Sequence, residues 1–387
     1  MVGAVVGDEA LQPIEAAHLE EQFGDDLECI GRMTDDTVTL EIAAPDDWHV
    51  HLRDDEMLSA VTPYTANVFR HAVVMPNINP PVTSTQEAAA YRARVLAAAG
   101  PDARHDFTPM MVLYLNDQIV VDDLLAGAAD GVVFGAKYYP AGATTNSAAG
   151  GNDLLAFRPV LEAMAGAGIP LLVHAESTDP SLDIFDREAD FIEKQMLPVV
   201  EQIPELRVTV EHISTRAGLD IVKDHPQVGG SITPHHLTCD RSDLLANGMR
   251  PHLYCKPVIN SREERMAIAE AATSGNPSFF FGTDSAPHPL SKKEAEKVAA
   301  GIFNAPYALE VVAELFFELG CLDRLEGFVS HHGADHYGVE RSPAKIRLTR
   351  RADTEIDPPE AMFTADGTEV RIFGADAARR WAWEAVS

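Results

Sequence analysis

Six residues distributed over five places in the chain have the types that a metal centre needs: His49, His51, Lys137, His174, His212 and Asp284. His49 and His51 sit two apart in the apolar, strand-like run Trp48-His49-Val50-His51-Leu52. Side chains alternate faces along a strand, so the two imidazoles point to one side. Imidazole is the commonest protein metal ligand, and two on one face make half of a metal site. Alone, such a pair is more often a satisfied surface or core pair. Taken singly, His174 and His212 read as hydrogen-bonded core histidines, and Asp284 before Ser285 reads as a helix N-cap. Lys137 alone reads as a side chain snorkelling from a sheet. What weakens these readings is position: the six fall at or near the ends of five separate apolar runs.

Lysine is the odd member. An ammonium has no lone pair to donate and is repelled by cations. Its amine, however, can combine with carbon dioxide to give an anionic carbamate with two oxygens. Such a group can bridge two cations ~3.5–4 Å apart, the separation common to two-metal hydrolases. Histidine and carboxylate-type ligands suit Zn²⁺ best among the common metals. The expected arrangement has one metal on His49, His51 and Asp284 and another on His174 and His212, with Lys137 joining both.

The elements that must carry these residues follow a regular beat. Apolar runs at 48–52, 72–75, 107–115, 132–139, 169–175, 207–213, 230–237 and 278–282 alternate with helical patterns such as 86–99, 152–167, 185–202 and 261–274. His49 and Asp284 lie 235 residues apart across seven strand-to-strand steps, about 34 residues each, enough for a βαβ unit. This is an α/β pattern, and the spacing predicts a (β/α)₈ TIM-type barrel, whose catalytic residues gather at the C-terminal ends of the strands. A doubly wound open sheet would often carry a Gly-rich phosphate turn, and no G-x-G-x-x-G or P-loop is present. The expected organisation is an acidic N-terminal extension over residues 1–36, the barrel over 37–340 and a short C-terminal tail packing on it over 341–387. A strand is expected from Val38 to Ile42, and the basic cluster Arg347, Arg350 and Arg351 suggests that the tail wraps the surface.

Composition excludes several classes. The 387 residues are 46% hydrophobic and 23% charged, a globular balance. Thirty basic residues against 60 acidic ones give a net charge of -30, which opposes nucleic acid or an anionic membrane surface as partner. Such acidity is also a lever of halophiles, so a high-salt habitat is an open expectation. Cys29, Cys239, Cys255 and Cys321 form no C-x-x-C pair, in keeping with free thiols. Neither a secretory signal nor an apolar run long enough to span a membrane is visible, so a cytoplasmic location is expected.

Several ordered strings carry a family resemblance. They are Asp47-Trp48-His49-Val50-His51-Leu52-Arg53-Asp54, Met75-Pro76-Asn77, the run from Lys137-Tyr138-Tyr139-Pro140 to Thr144-Thr145-Asn146, and Glu211-His212-Ile213. Arg250-Pro251-His252-Leu253-Tyr254-Cys255-Lys256-Pro257, Gly282-Thr283-Asp284-Ser285-Ala286-Pro287-His288 and Phe303-Asn304-Ala305-Pro306 complete the set. From about Asp46 to Gly338 the chain resembles the dihydroorotases of the amidohydrolase superfamily, in the shorter class found in many bacteria and in plants. The resemblance implies two Zn²⁺ ions per subunit, held by His49, His51, carboxylated Lys137, His174, His212 and Asp284 and bridged by that lysine and a hydroxide. It implies that Arg53, Asn77 and His288 clamp a substrate carboxylate. Backbone groups at Lys256 and Ala300 would meet the ring, and Thr144 and Thr145 would lie on a mobile loop. The implied reaction is reversible cyclisation of N-carbamoyl-L-aspartate to (S)-dihydroorotate in pyrimidine biosynthesis, with Asp284 as general acid and base, in a homodimer.

An arginine fork suits a carboxylate, and Arg53, two residues beyond His51, is expected on the same strand face. The Gly142 to Gly151 stretch is small and polar, as a closing loop requires. Two departures stand out. Lys297-Val298-Ala299-Ala300-Gly301-Ile302 replaces a cysteine-rich stretch of that class, and Lys256 stands where an apolar residue is common. The rivals are the other cyclic amidohydrolases (dihydropyrimidinase, hydantoinase, allantoinase), which have no need of the full clamp, and a non-catalytic scaffold homologue.

Overall fold

The computed structural model describes residues 38–104, 106–246, 248–351 and 357–386. The acidic extension expected over residues 1–36, Cys29 included, lies outside the described residues. The chain enters through β1 (Val38–Ala43). There follow β2 (Asp47–Val50), β3 (His71–Val74), β4 (Thr108–Tyr114), β5 (Val133–Tyr138), β6 (Leu171–Val173), β7 (Val208–Val210), β8 (Val228–Ile232) and β9 (Phe279–Phe281).

Strands β2 to β9 make one eight-stranded sheet in sequence order, and each neighbouring pair is parallel. The ring closes just beyond the named strands. Val50 bridges Ser285, while Asp284 N donates to His49 O at 2.8 Å and His51 N to Ser285 O at 3.0 Å. The expected (β/α)₈ barrel is therefore present. Its crossovers carry helices such as Thr85–Ala98, opened by a Ser84–Glu87 capping box, and Arg262–Thr273, capped by Ser261; both caps satisfy otherwise orphaned backbone N–H groups.

One element differs from the sequence reading. The run Gly230 to Leu237, read as a single strand, ends at Ile232. Thr233 caps a short helix, Pro234–Thr238, with Pro234 in its first turn. That pairing of cap and proline starts a helix in spite of apolar neighbours.

The barrel interior is packed. Trp48, Val73, Val112, Leu172 and Phe280 meet Tyr337 there, and the Trp48 and Tyr337 ring centroids are 4.8 Å apart. Tyr337 arrives on the helix His332–Tyr337, which plugs the barrel from the side away from the strand ends that carry the histidines. The register of β2 on β3 shifts between Asp47 and Val50. That irregularity lets the adjacent Trp48 and His49 both serve the interior, one in the apolar plug and one in the polar layer above it.

Beyond residue 340 come β10 (Lys345–Arg350), β11 (Ala361–Phe363), β12 (Glu369–Arg371) and β13 (Trp381–Val386). The early strand β1 pairs antiparallel with β10, and β10 with β13, in a sheet separate from the barrel. Two arginines of the basic cluster are absorbed locally: Arg347 meets Glu41 and Glu384, and Arg350 meets Glu314. Glu314 also accepts from Trp381 Nε1 at 2.6 Å, which fastens the tail to the helix Ala308–Glu318. Among the described residues no helix is long and apolar enough to cross a membrane.

Candidate active site

The ends of β2 and β9 bring three donor atoms into a nearly equilateral triangle. His49 Nε2 and His51 Nε2 are 3.2 Å apart, and Asp284 Oδ1 lies 3.3 Å from the first and 3.2 Å from the second. A tetrahedral ion with bonds of ~2.0–2.1 Å sets its ligand atoms about 3.3 Å apart, so the triangle fits a zinc-sized cation. Across the barrel mouth His174 Nδ1 and His212 Nε2 stand 3.1 Å apart. The His49 and His212 rings, with centroids 5.0 Å apart, join the two groups.

Each of three histidines is aimed by a partner on its far nitrogen. Asn77 Oδ1 lies 2.8 Å from His51 Nδ1, and Glu176 Oε2 lies 3.0 Å from His174 Nε2. Glu211 Oε1 is 2.7 Å from His49 Nδ1. An acceptor on one ring nitrogen keeps the proton there and leaves the other lone pair for a metal. Burial lowers His51 to about 4 and holds His174 and His212 below the usual imidazole range, whereas at His49 burial is outweighed by the Glu211 and Asp284 carboxylates, which raise it to about 9. Burial works against the Asp284 carboxylate, but the adjacent His49 and His51 outweigh it and hold the group well below the ordinary range. Lys137 is fully buried on β5, in contact with Glu211 Oε2 and over the Tyr139 ring. It does not snorkel, and burial lowers its pKa, which favours the neutral amine that a carbamate requires.

Above this floor lies a cavity lined by ten of the thirteen residues singled out from sequence, from His51 and Arg53 to Lys256 and Ala300. His49 and Lys137 lie beneath it. His288 joins it from the side, with Nε2 3.0 Å from Arg53 Nη2 and 2.9 Å from Ala300 O. The free space is about 20 Å³, roughly one water and too little for a substituted six-membered ring. The reason is the loop over residues 140–151, which is latched across the mouth. Asn77 Nδ2 donates to Thr145 O at 3.0 Å, Asn146 Nδ2 to Asn77 O at 2.9 Å, and Thr145 Oγ1 to Ala300 O at 3.4 Å. Entry of a ring requires that loop to lift.

With this geometry in view, comparison with known proteins is decisive. A profile of the amidohydrolase family spans residues 43–340. A dihydroorotase from Alkalilimnicola ehrlichii is 49% identical over 332 residues, covering 86% of this chain and 95% of that one. The chain belongs to the amidohydrolase family, among the dihydroorotases. A solved dihydroorotase from Campylobacter jejuni aligns with a TM-score of 0.80 at 32% identity, over 92% of this chain and all of that one. One from Saccharomyces cerevisiae, in complex with 5-fluoroorotic acid, aligns at 0.81 and 29% over 90% of this chain and 98% of that one. The L-hydantoinase of Arthrobacter aurescens, at 17% identity and a TM-score of 0.69 over 82% of this chain and 78% of that one, shares the fold alone.

Against this dihydroorotase background, one expectation about Arg53 is corrected. Strand alternation does not carry it to the site, because β2 ends at Val50 and Arg53 adopts φ 62°. A left-handed turn brings its guanidinium back to Pro287 O at 3.1 Å and to His288. His212 (φ 45°) and Asp284 (φ 42°) share this conformation, which is costly for residues with a Cβ and clusters at functional sites.

Several supporting residues escaped the sequence reading. Asp47 accepts from Thr283 N at 2.8 Å and Thr283 Oγ1 at 2.7 Å, which welds β2 to β9 below Asp284. Asn304 Nδ2 donates to Thr283 O at 2.8 Å, giving the Phe-Asn-Ala-Pro string a structural task at the same corner. Glu176 follows His174 by two residues, the same spacing as His49 and His51, so its signal was present. Lys256 sends its Nζ to Glu176 Oε1 at 2.9 Å, so the departure at that position adds an ion pair behind a histidine. In a second buried trio, His235, His236 and Cys255, two members are already engaged, while His235 Nε2 has no hydrogen-bond partner among the described residues. His236 lies between Thr233 Oγ1 at 2.8 Å and Pro257 O at 3.2 Å, and Cys255 Sγ also donates to Pro257 O. It reads as a packed polar cluster.

Proposed function

We propose that this chain catalyses the reversible cyclisation of N-carbamoyl-L-aspartate to (S)-dihydroorotate, with two zinc ions per subunit. The observation that carries the reading is the donor triangle of His49, His51 and Asp284 at the base of a cavity lined by Arg53 and Asn77, with His288 against Arg53. His174, His212 and carboxylated Lys137 would complete the metal set. Zinc bound there would supply an activated water at neutral pH and polarise the ring carbonyl.

The remaining chemistry falls to the protein. Asp284, kept ionised by its histidine neighbours, takes a proton from the attacking water and returns it to the leaving ring nitrogen. Arg53, Asn77 and His288 bind the substrate carboxylate. A neutral cyclic amide would leave that partly buried guanidinium without its anion, which disfavours hydantoins and dihydrouracil. Main-chain groups at Lys256 and Ala300 hold the ring, and Thr144 and Thr145 close over it and exclude bulk water. A cytoplasmic homodimer completes the proposal, supported by family resemblance and tested by light scattering of the purified chain.

The deciding assay measures hydrolysis of dihydroorotate beside dihydrouracil and hydantoin, with metal counted in the same preparation. Strong preference for dihydroorotate with about two zinc ions per chain is expected. Comparable rates on the neutral rings, or full activity without metal, would reject the reading.

A further inference from the structure

We infer that Lys293 is a positioning residue that sets the main-chain wall of the substrate cavity; the inference rests on the dihydroorotate reading of that cavity. Lys293 ends the short helix Leu290–Lys293 and is only 3% exposed. Its ammonium donates to Tyr254 O at 2.9 Å, Ala299 O at 3.0 Å and Gly301 O at 2.7 Å. An ammonium has three hydrogens, so all of them go to main-chain carbonyls. No carboxylate is paired with it among the described residues, and burial, helped by the Arg53 charge, lowers its pKa to about 8. A cation is thus buried at a cost, and its return is the joining of two backbone segments.

Those segments line the cavity, one through Lys256 and the other through Ala300 and Gly301. One runs from Tyr254 to Lys256 and the other from Ala299 to Gly301, and Gly301 N also donates to Tyr254 O at 2.9 Å. Ala299 N is tied back to Lys292 O at 2.9 Å, so both neighbours of Ala300 are anchored while Ala300 stands in the cavity wall. Ala300 O in turn faces His288 of the clamp and Thr145 of the loop. Gly301 holds φ 146°, and a Cβ there would lie 2.5 Å from Ala286 O and 3.0 Å from His288 Cδ2. Only glycine lets this turn press so close. Behind the wall a second cavity of about 90 Å³, also bordered by Lys293 and Gly301, offers space into which the turn relaxes without the ammonium.

The test is Lys293→Met, read by melting temperature, metal content, kcat and KM for dihydroorotate, and calorimetric binding of 5-fluoroorotate. Metal content and kcat should stay within a few-fold of wild type while KM and the 5-fluoroorotate Kd each rise about tenfold or more, the pattern of lost uniform binding. Lys293→Gln, which keeps two donors, should fall between. Unchanged KM and Kd, or a fall in kcat that follows metal loss, would overturn the assignment. Should the methionine variant not fold, the glutamine variant is read in the same way. Failure of both to fold would assign Lys293 to global stability and overturn the positioning role. A wild-type chain that does not turn over dihydroorotate would instead reject the proposed function.

Discussion

The floor and the wall of the cavity are built in different ways. The floor consists of side chains on or just beyond strand ends, His49, His51, Lys137, His174, His212 and Asp284, held by parallel ladders and nine-tenths or more buried. The wall and roof depend on main chain and loop: Ala300, Lys256, and the Thr144 to Asn146 latch, fixed by Lys293, Asn77 and Gly301. Chemistry needs particular side chains at fixed separations, which strands provide. In the proposed function, recognition of the ring falls to backbone groups whose position Lys293 sets without touching the ligand. Damage to the floor should therefore appear in metal content and turnover, and damage to the wall in substrate affinity.

The sharpest way to break this division is Asp284→Ala. Losing a member of the donor triangle and the proton carrier should cut kcat by about 10³-fold or more; near-normal turnover would end the acid–base assignment. Lys137→Ala should cost roughly 10²-fold or more and release metal, with partial rescue by short carboxylic acids standing in for the carbamate. Two tightly bound ions retained in that variant would refute the bridge. On the wall side, Arg53→Met should raise KM for dihydroorotate by about 10²-fold and alter hydantoin binding far less. An equal loss for both ligands would undo the carboxylate clamp. The smallest effect is expected from Glu176→Gln, which leaves His174 in place but weakens its orientation. Metal affinity measured by chelator competition should fall about tenfold, and an unchanged affinity would make the Lys256–Glu176 pair a packing contact only.

Legibility followed the same boundary. His49 and His51 were readable because strand alternation is a local rule, and His174, His212 and Asp284 because each ends an apolar run at the βα spacing. Glu176 carried a signal in its spacing from His174, but nothing local says that Glu211, next to His212 in the chain, will stand behind His49 on another strand. Arg53 was placed at the site for the wrong reason: the strand had ended, and a φ of 62° did what alternation was expected to do. Lys293 gave no signal at all, since its partners are carbonyls, and every residue has one.

By itself, then, the sequence determined the barrel, the residue types of the candidate metal site and the family, because hydrophobic periodicity and residue chemistry are properties of short stretches. Tertiary structure decided the 3.2–3.3 Å donor triangle, the left-handed turns at Arg53, His212 and Asp284, and the closed loop. It also decided the lysine that fastens the wall. These depend on atoms brought together from segments tens to hundreds of residues apart, where only the packed chain fixes distance and direction.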